Sequence, residues 1–418
     1  MKHFDVAIIG DSLSARITAT LLAKNGLGVL HLRGQRPFIS EWFHSSIFTE
    51  KLLGNLGGRS CFTAPQPTQV ISEHVRVTLQ GDTPLAEELN REIGPAGQEV
   101  IDVLNRLNEL GETLETVLWE HGGLPWPGVL SPTTFRLRCL RRKINLAELA
   151  DPLEAQLEKF PAAVRTFLMD LFQGLTLLPV QQVTVASAAL AWYHAMRAEA
   201  IDPNQFSDLL DKRFEQFHGV CDDLDRLENL DSDGHRWTGG HLKEREPFLA
   251  RFFLIGDISL ADRFAIQNTE GVGFRKPPIT DCQLEITGRL SPFLSSQIIC
   301  GGPSPMRLSL EAKDKEFSGL LSVYGLLNEE ALLQQLLPIL PFAKYAIQPV
   351  LSNSIPEIND SASRAESILD LRLQLDTNLY CADSTALVPD LGPAGASLLG
   401  WTFVNHLSAS TKTPNKEP

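Results

Sequence analysis

Gly10, Ser12, Ser14 and Ala15 occupy a short turn between an apolar run and a helix-spaced segment, in FDVAIIGDSLSARITATLLAKNG (residues 4–26). A glycine-bearing turn that opens a helix presents free backbone amides at the positive end of the helix dipole, which is the chemistry that holds a phosphate. Against the ideal G-x-G-x-x-G/A pattern, Gly10 keeps the turn, Ala15 is an allowed third position and Ser12 replaces the middle glycine. Its side chain adds bulk where backbone should approach phosphate oxygens, although its hydroxyl can donate to one. Ribose recognition calls for a carboxylate about 20 residues further on, where this chain has His31, Leu32 and Arg33. Arg33 or Arg36 could pair with a 2′-phosphate, which keeps an NADP-type site open. Glu41 could also reach back, and the arginines read equally well as solvated loop charges.

The 418 residues exceed what one hydrophobic core usually supports, so two domains or one domain with a large insertion are expected. Apolar residues make up 43% and charged residues 21%, and no run reaches the length of a transmembrane segment. The start MKHFDVAIIG enters a strand with no cleavage site behind it, so the expected location is cytoplasmic. A net charge of −14 opposes binding to nucleic acid. Cys61, Cys139, Cys221, Cys282, Cys300 and Cys381 form no C-x-x-C pair and the ten histidines show no ligand spacing, so no metal is expected. Neither a G-x-S-x-G element nor a P-loop is present, and no side chain stands out as catalytic.

Residues 5–9 read as a buried parallel strand, ARITATLLAKNG as a helix stopped at Gly26, and GVLHL as a second strand, together a βαβ unit. VISEHVRVTLQGDTPLAEEL reads as strands followed by a helix capped at Asp82 or Thr83. Helical spacing dominates 97–119 and 146–197. The pattern returns to strands with a hairpin turn at Asp233–Gly234, then RFFLIGD. NEEALLQQLLPILPFAKYAIQPV reads as a helix followed by a strand, and TNLYCADSTALVPDLGPAGASLLGWTFVNHL as strand, loop and helix. The polar end SASTKTPNKEP is expected to be disordered. FRLRCLRRK, residues 135–143, concentrates arginine in an acidic protein; it reads as a solvated helix face, with a grip on an anionic partner as the alternative.

Taken in order, these pieces resemble the FAD-dependent superfamily of phytoene desaturases, protoporphyrinogen oxidases and flavin amine oxidases. NLGGRSCFT, with Gly58 and Arg59, is similar to that family's GGR element, offset by about 20 intervening residues. NQFSDLLDKRFEQFHGVCDDLDRLENLDSDG resembles its helix, strand and hairpin, and by that resemblance the backbone of Leu227 contacts adenine. The closing family motif is similar to the segment carrying Asp383, Pro389, Gly392, Gly395, Ala396 and Gly400. The chain departs from the family at Ser12, at the missing acidic residue after the second strand, at Ala382 before the closing aspartate, and at Asp202, Pro203, Asn204 and Gln205 in place of paired glycines.

The resemblance implies an α/β fold: a Rossmann-like FAD-binding domain of the GR2-type flavoprotein class, with an interleaved α+β substrate domain. The FAD domain would comprise residues 1–63, 200–257 and 372–410, the substrate-type domain 64–199 and 258–371, and a tail 411–418. It also implies FAD held by Gly10, Ser12, Ser14, Ala15, Arg33, Gly58, Arg59, Leu227, Asp383, Gly392, Gly395 and Ala396. Asp383 would bond the ribityl or pyrophosphate region, and a helix starting near Gly395 would face the flavin and stabilise its reduced form. The implied activity is hydride transfer from an apolar small molecule to flavin N5. The alternatives are a cofactor-free binding or assembly protein on the same fold, or an NADP-binding protein.

Overall fold

The computed structural model describes residues 1–34, 43–72, 75–127, 130–264, 279–288, 293–302, 304–313, 316–324, 329–337, 339–340, 343–349, 371 and 373–412. Arg36 and Glu41 lie outside the described residues. The chain opens with β1 (Lys2–Ile9), α1 (Leu13–Lys24) and β2 (Val29–Arg33), then α2 (Ile47–Leu56), β3 (Phe62–Thr63), β4 (Thr68–Ile71) and β5 (Arg76–Leu79). A helical middle follows: α3 (Leu85–Ile93), α4 (Gly97–His121), α5 (Leu130–Arg141), α6 (Leu146–Ala150), α7 (Leu153–Leu157), α8 (Ala162–Thr176) and α9 (Val185–Ala195). After β6 (Ala200–Ile201) come α10 (Pro203–Gln216), β7 (Val220–Asp223), β8 (Leu227–Ser232), β9 (Trp237–Leu242), β10 (Phe248–Ile255) and α11 (Leu260–Arg263). The remainder is β11 (Ile279–Gly288), β12 (Gln297–Cys300), β13 (Met306–Lys313), β14 (Glu316–Tyr324), α12 (Glu329–Leu336), β15 (Ala343–Pro349), β16 (Gln374–Asp376), β17 (Leu379–Cys381), α13 (Ser384–Leu387) and α14 (Gly392–Lys412).

One sheet runs β16-β17-β10-β1-β2-β7, with the β8–β9 hairpin attached through β10. Five of its strands, β17, β10, β1, β2 and β7, are mutually parallel. The apolar run of β1 follows from this position, because a central parallel strand is covered on both faces. A second sheet, β15-β11-β14-β13-β12-β4-β5, is largely antiparallel, and short β3 pairs with β6. The first sheet therefore draws on three separated stretches of chain, and the second on residues 68–79 and 279–349.

Helix α1 is buried along almost its whole length, from Leu13 to Ala23, since the sheet, α10 and α14 surround it. A helix covered on all sides tolerates few polar side chains: Thr18 and Thr20 return their hydroxyls to α1 carbonyls, and Arg16, at 3% exposure, is its one buried charge, which the site explains. Gly400 sets the α14 crossing: a Cβ there would lie 2.5 Å from Ile17 Cγ2. Helices α3, α4, α7, α8 and α9 form their own apolar cluster against β4 and β5, and the second sheet has another around Leu284, Leu308 and Leu321; the buried side of α5 packs with the first sheet's core.

Several local expectations need correction. Helix α3 is capped by Pro84 with no side-chain hydrogen bond, in place of Asp82 or Thr83. The last helix starts at Gly392, three residues before Gly395, and runs through Lys412 into the segment read as disordered; residues 413–418 lie outside the described ones. The Asp233 hairpin forms as expected, its Oδ1 accepting from the amides of His235 and Arg236. All six cysteines are free thiols. Among the described residues no helix is long and apolar enough to cross a membrane, and no group of three His, Cys, Asp or Glu residues could hold a metal ion.

Candidate functional site

The turn after β1 is shaped by Gly10, whose φ of +102° is accessible to glycine and whose missing Cβ would sit 2.8 Å from the Asp257 amide. This lets the β1–α1 turn rest directly on the end of β10. Ser12 then caps α1, its Oγ accepting from the Ala15 amide. One amide that a phosphate would need is thereby occupied. Ser12 Oγ also donates to the Ala382 carbonyl at 3.1 Å.

Ser14 makes the closer connection. Its Oγ donates to the Ala382 carbonyl at 2.5 Å and accepts from the Ser384 amide at 3.0 Å, and the residue is fully buried. The start of α1 and the β17–α13 corner lie 370 residues apart in the chain. They meet as hydrogen-bonded neighbours. Asp383, 2% exposed, has both carboxylate oxygens engaged: Oδ2 accepts from the Ile258 amide, and Oδ1 from the amide and hydroxyl of Thr385. It caps α13 and fastens the loop after β10.

A charged cluster occupies the side where ribose recognition was expected. Arg16 Nε lies 3.0 Å from Asp11 Oδ1. Its Nη1 donates to Ser207 Oγ at 2.6 Å and its Nη2 to Asp211 Oδ1 at 2.7 Å. The same Asp211 oxygen accepts from Arg33 Nη1 at 2.8 Å. Arg33 Nε donates to His31 Nδ1 at 3.1 Å, its guanidinium stands 4.9 Å from the centre of the Phe214 ring, and among the described residues its Nη2 has no hydrogen-bond partner. His31 Nε2 is 2.9 Å from the Gly10 carbonyl oxygen. A ring that accepts at Nδ1 and donates at Nε2 is neutral imidazole. Burial, with Arg33 and Arg16 nearby, pushes its pKa down to about 3, in keeping with that tautomer.

Of the remaining expected contacts, some are engaged within the chain and others, Arg59 among them, face outward. The Leu227 carbonyl accepts from Arg263 Nη2 at 3.0 Å, and its amide donates to the Leu224 carbonyl. Gly57 is the left-handed C-cap of α2, and Gly58 is walled in by Leu209 and Leu53, leaving Arg59 exposed. Gly395 and Ala396 lie buried inside α14, where a Cβ on Gly395 would be 2.9 Å from Leu391 Cβ. Gly392 is half-buried at the helix start. Asp202, Pro203, Asn204 and Gln205 form a capped helix start, with Asp202 Oδ1 accepting from the amides of Asn204 and Gln205.

An extended dinucleotide needs open amides at the start of α1, an acceptor for its ribose and free backbone at its adenine. Ser12 Oγ holds the Ala15 amide, the Arg33–Asp211 pair lies where the ribose acceptor was expected, and Arg263 holds the Leu227 carbonyl. As folded, these residues do not fit FAD.

A separate small cavity lies at the first turn of α14, lined by Gly392, Pro393, Ala394, His44, His194, Arg307 and others. His194 Nε2 is 2.8 Å from Glu115 Oε1, which also accepts from the Ile47 amide. Buried Arg307 donates to the carbonyls of Gly174 and Leu175, and desolvation lowers its pKa to about 10. Desolvation likewise raises the Asp390 carboxyl. The cavity's empty volume is about 420 Å³, open solvent included.

The sequence reading missed Asp11, Arg16, His31, Asp211 and the Glu115–His194 pair. One signal was available: Arg16 is the only charged residue in α1 before Lys24, and a lone arginine in an apolar helix demands a buried partner.

No protein-family model matches the sequence, and no curated protein matches it. Solved structures do match in shape. A cyclohexylamine oxidase from Brevibacterium oxydans IH-35A superposes with a TM-score of 0.58 at 13% identity, covering 98% of this chain and 100% of that one. A putrescine oxidase variant gives 0.61 at 13% identity, covering 98% and 99%. A RAB GDI from Plasmodium falciparum gives 0.52 at 10% identity, covering 94% and 97%. The chain has the fold of the flavin amine oxidases, a Rossmann-type flavoprotein fold with a mixed α/β architecture. At these identities the likeness speaks to fold, and the chemistry must be argued from the residues.

Proposed function

We propose that this protein uses a flavin amine oxidase fold as a cofactor-free binding or assembly protein. The observation that carries this reading is the Ser14 hydroxyl bridging the Ala382 carbonyl and the Ser384 amide, which joins the two chain segments between which a dinucleotide would run. The Asp11–Arg16–Asp211–Arg33 cluster supports it, because Asp11 sets a carboxylate in the β1–α1 loop just before the α1 N-cap and the arginines that could attract a phosphate already have carboxylate partners. The shape match to a RAB GDI as well as to oxidases is compatible with a fold whose chemistry varies.

The test is to express the protein with riboflavin in excess, purify it, denature it and assay the supernatant for released flavin. A flavin content near zero, unchanged after incubation with FAD, supports the reading. About one flavin per chain ends it.

A second reading is favoured by the parallel order β17-β10-β1-β2-β7 and by the start of α14 facing a cavity. In it the protein is an FAD-dependent oxidoreductase for an apolar small molecule, and the β17–α13 corner withdraws from Ser14 to admit the cofactor. The assay above separates the two.

A further inference from the structure

Helix α5 is apolar on two opposite faces. Phe135 and Cys139 are buried on its inner side. Leu130, Leu137 and Leu140 are 81%, 51% and 71% exposed, among the most exposed large apolar side chains in the described structure. At about 100° per residue these leucines fall on one stripe along the outer face. Arg136 borders the stripe on one side and Arg141 on the other, with exposed Lys143 just beyond the helix. Arg138 and Arg142 turn toward α4, reaching the backbone carbonyl and the carboxylate of Glu120. Among the described residues Arg136 and Arg141 form no ion pair.

A solvated face accounts for the arginines and leaves the leucines unexplained. An apolar stripe with a guanidinium on each flank is the layout of a helix lying in a lipid interface, where acyl chains meet the apolar residues and anionic headgroups meet the cations. Arginine suits the flanks because its stem can lie along apolar surface while its head stays with phosphates. The chain as a whole carries a net charge of −14 and is repelled by such a surface, so attraction is confined to this patch and orients the molecule. We propose that α5 docks the protein peripherally and reversibly on an anionic membrane surface, through Leu130, Leu137 and Leu140 flanked by Arg136 and Arg141.

The experiment is flotation of the full chain with phosphatidylcholine vesicles, alone or containing about 30% phosphatidylserine. The wild type should float with the anionic vesicles, remain soluble with the neutral ones, and be released by about 0.5 M salt. The double variant L137Q/L140Q should lower the bound fraction at least about fivefold, as should R136Q/R141Q, each with the thermal unfolding of the wild type. The proposal is overturned if either double variant floats like the wild type, if neutral vesicles bind equally well, or if the wild type stays soluble with anionic vesicles. In that last case an acid-rimmed groove on a protein partner becomes the occupant to seek.

Discussion

Ser14 Oγ lies 2.5 Å from the Ala382 carbonyl oxygen, a contact between residues 368 positions apart. Both groups are buried, so the bond cannot be exchanged for one to water without opening the turn. Ser14→Ala leaves the Ala382 carbonyl and the Ser384 amide short of a partner, and should destabilise the protein by about 1–3 kcal/mol. Urea unfolding followed by tryptophan fluorescence measures it. A loss below about 0.5 kcal/mol would show that the two segments are held together by other contacts.

Arg16 is 3% exposed and faces Asp11 and Asp211. Replacing it with Met strands a buried carboxylate, and the expected cost is about 3–5 kcal/mol. Removing the Asp11 charge in the same chain, as Asp11→Asn with Arg16→Met, should recover part of that loss because no unpaired buried anion remains. Chemical denaturation of the wild type, Arg16→Met, Asp11→Asn and the double variant gives the coupling directly.

Buried His31 predicts a pH dependence of known sign. Its folded pKa is pushed down to about 3, against an ordinary 6.5, so between those values the unfolded chain binds a proton that the folded chain does not. Stability contributed by neutral His31 is complete above about pH 6.5 and falls by about 1.4 kcal/mol per pH unit as the pH drops toward 3. His44, also lowered to about 3, acts in the same direction. Asp281 and Asp390, raised by burial, oppose it over the range just above 3.8. Unfolding free energies at pH 7 and pH 5 should differ by about 2 kcal/mol less in His31→Gln than in the wild type. Equal differences would mean that His31 is solvated in the native state.

The framework of the fold was legible because its signals are local: the buried run of β1, the helical spacing of α1 and the Asp233–Gly234 turn each follow from the residues within them. The site was legible only as a set of positions. That Ser12 and Ser14 would reach Ala382, or that Asp211 would hold both Arg16 and Arg33, depends on how distant segments stack. Side chains of ordinary type carry no mark of it. The Leu227 carbonyl illustrates the limit, since Arg263, which occupies it, lies 36 residues away on a helix that the sequence pattern did not signal.

Asp383 serves as a stability test of the same corner. Its carboxylate caps α13 and accepts from the Ile258 amide, so Asp383→Ala should cost about 1–3 kcal/mol. Asp383→Asn, which keeps one acceptor oxygen, should cost less. A variant as stable as the wild type would remove Asp383 from the architecture and return it to consideration as a ligand contact.

Calorimetric titration of FAD into the purified wild-type protein, beside the opened variant Ser14→Gly, tests the central claim most directly. The account predicts no saturable heat for the wild type. Saturation of the wild type at one FAD per chain, with the variant binding no more tightly, would contradict it.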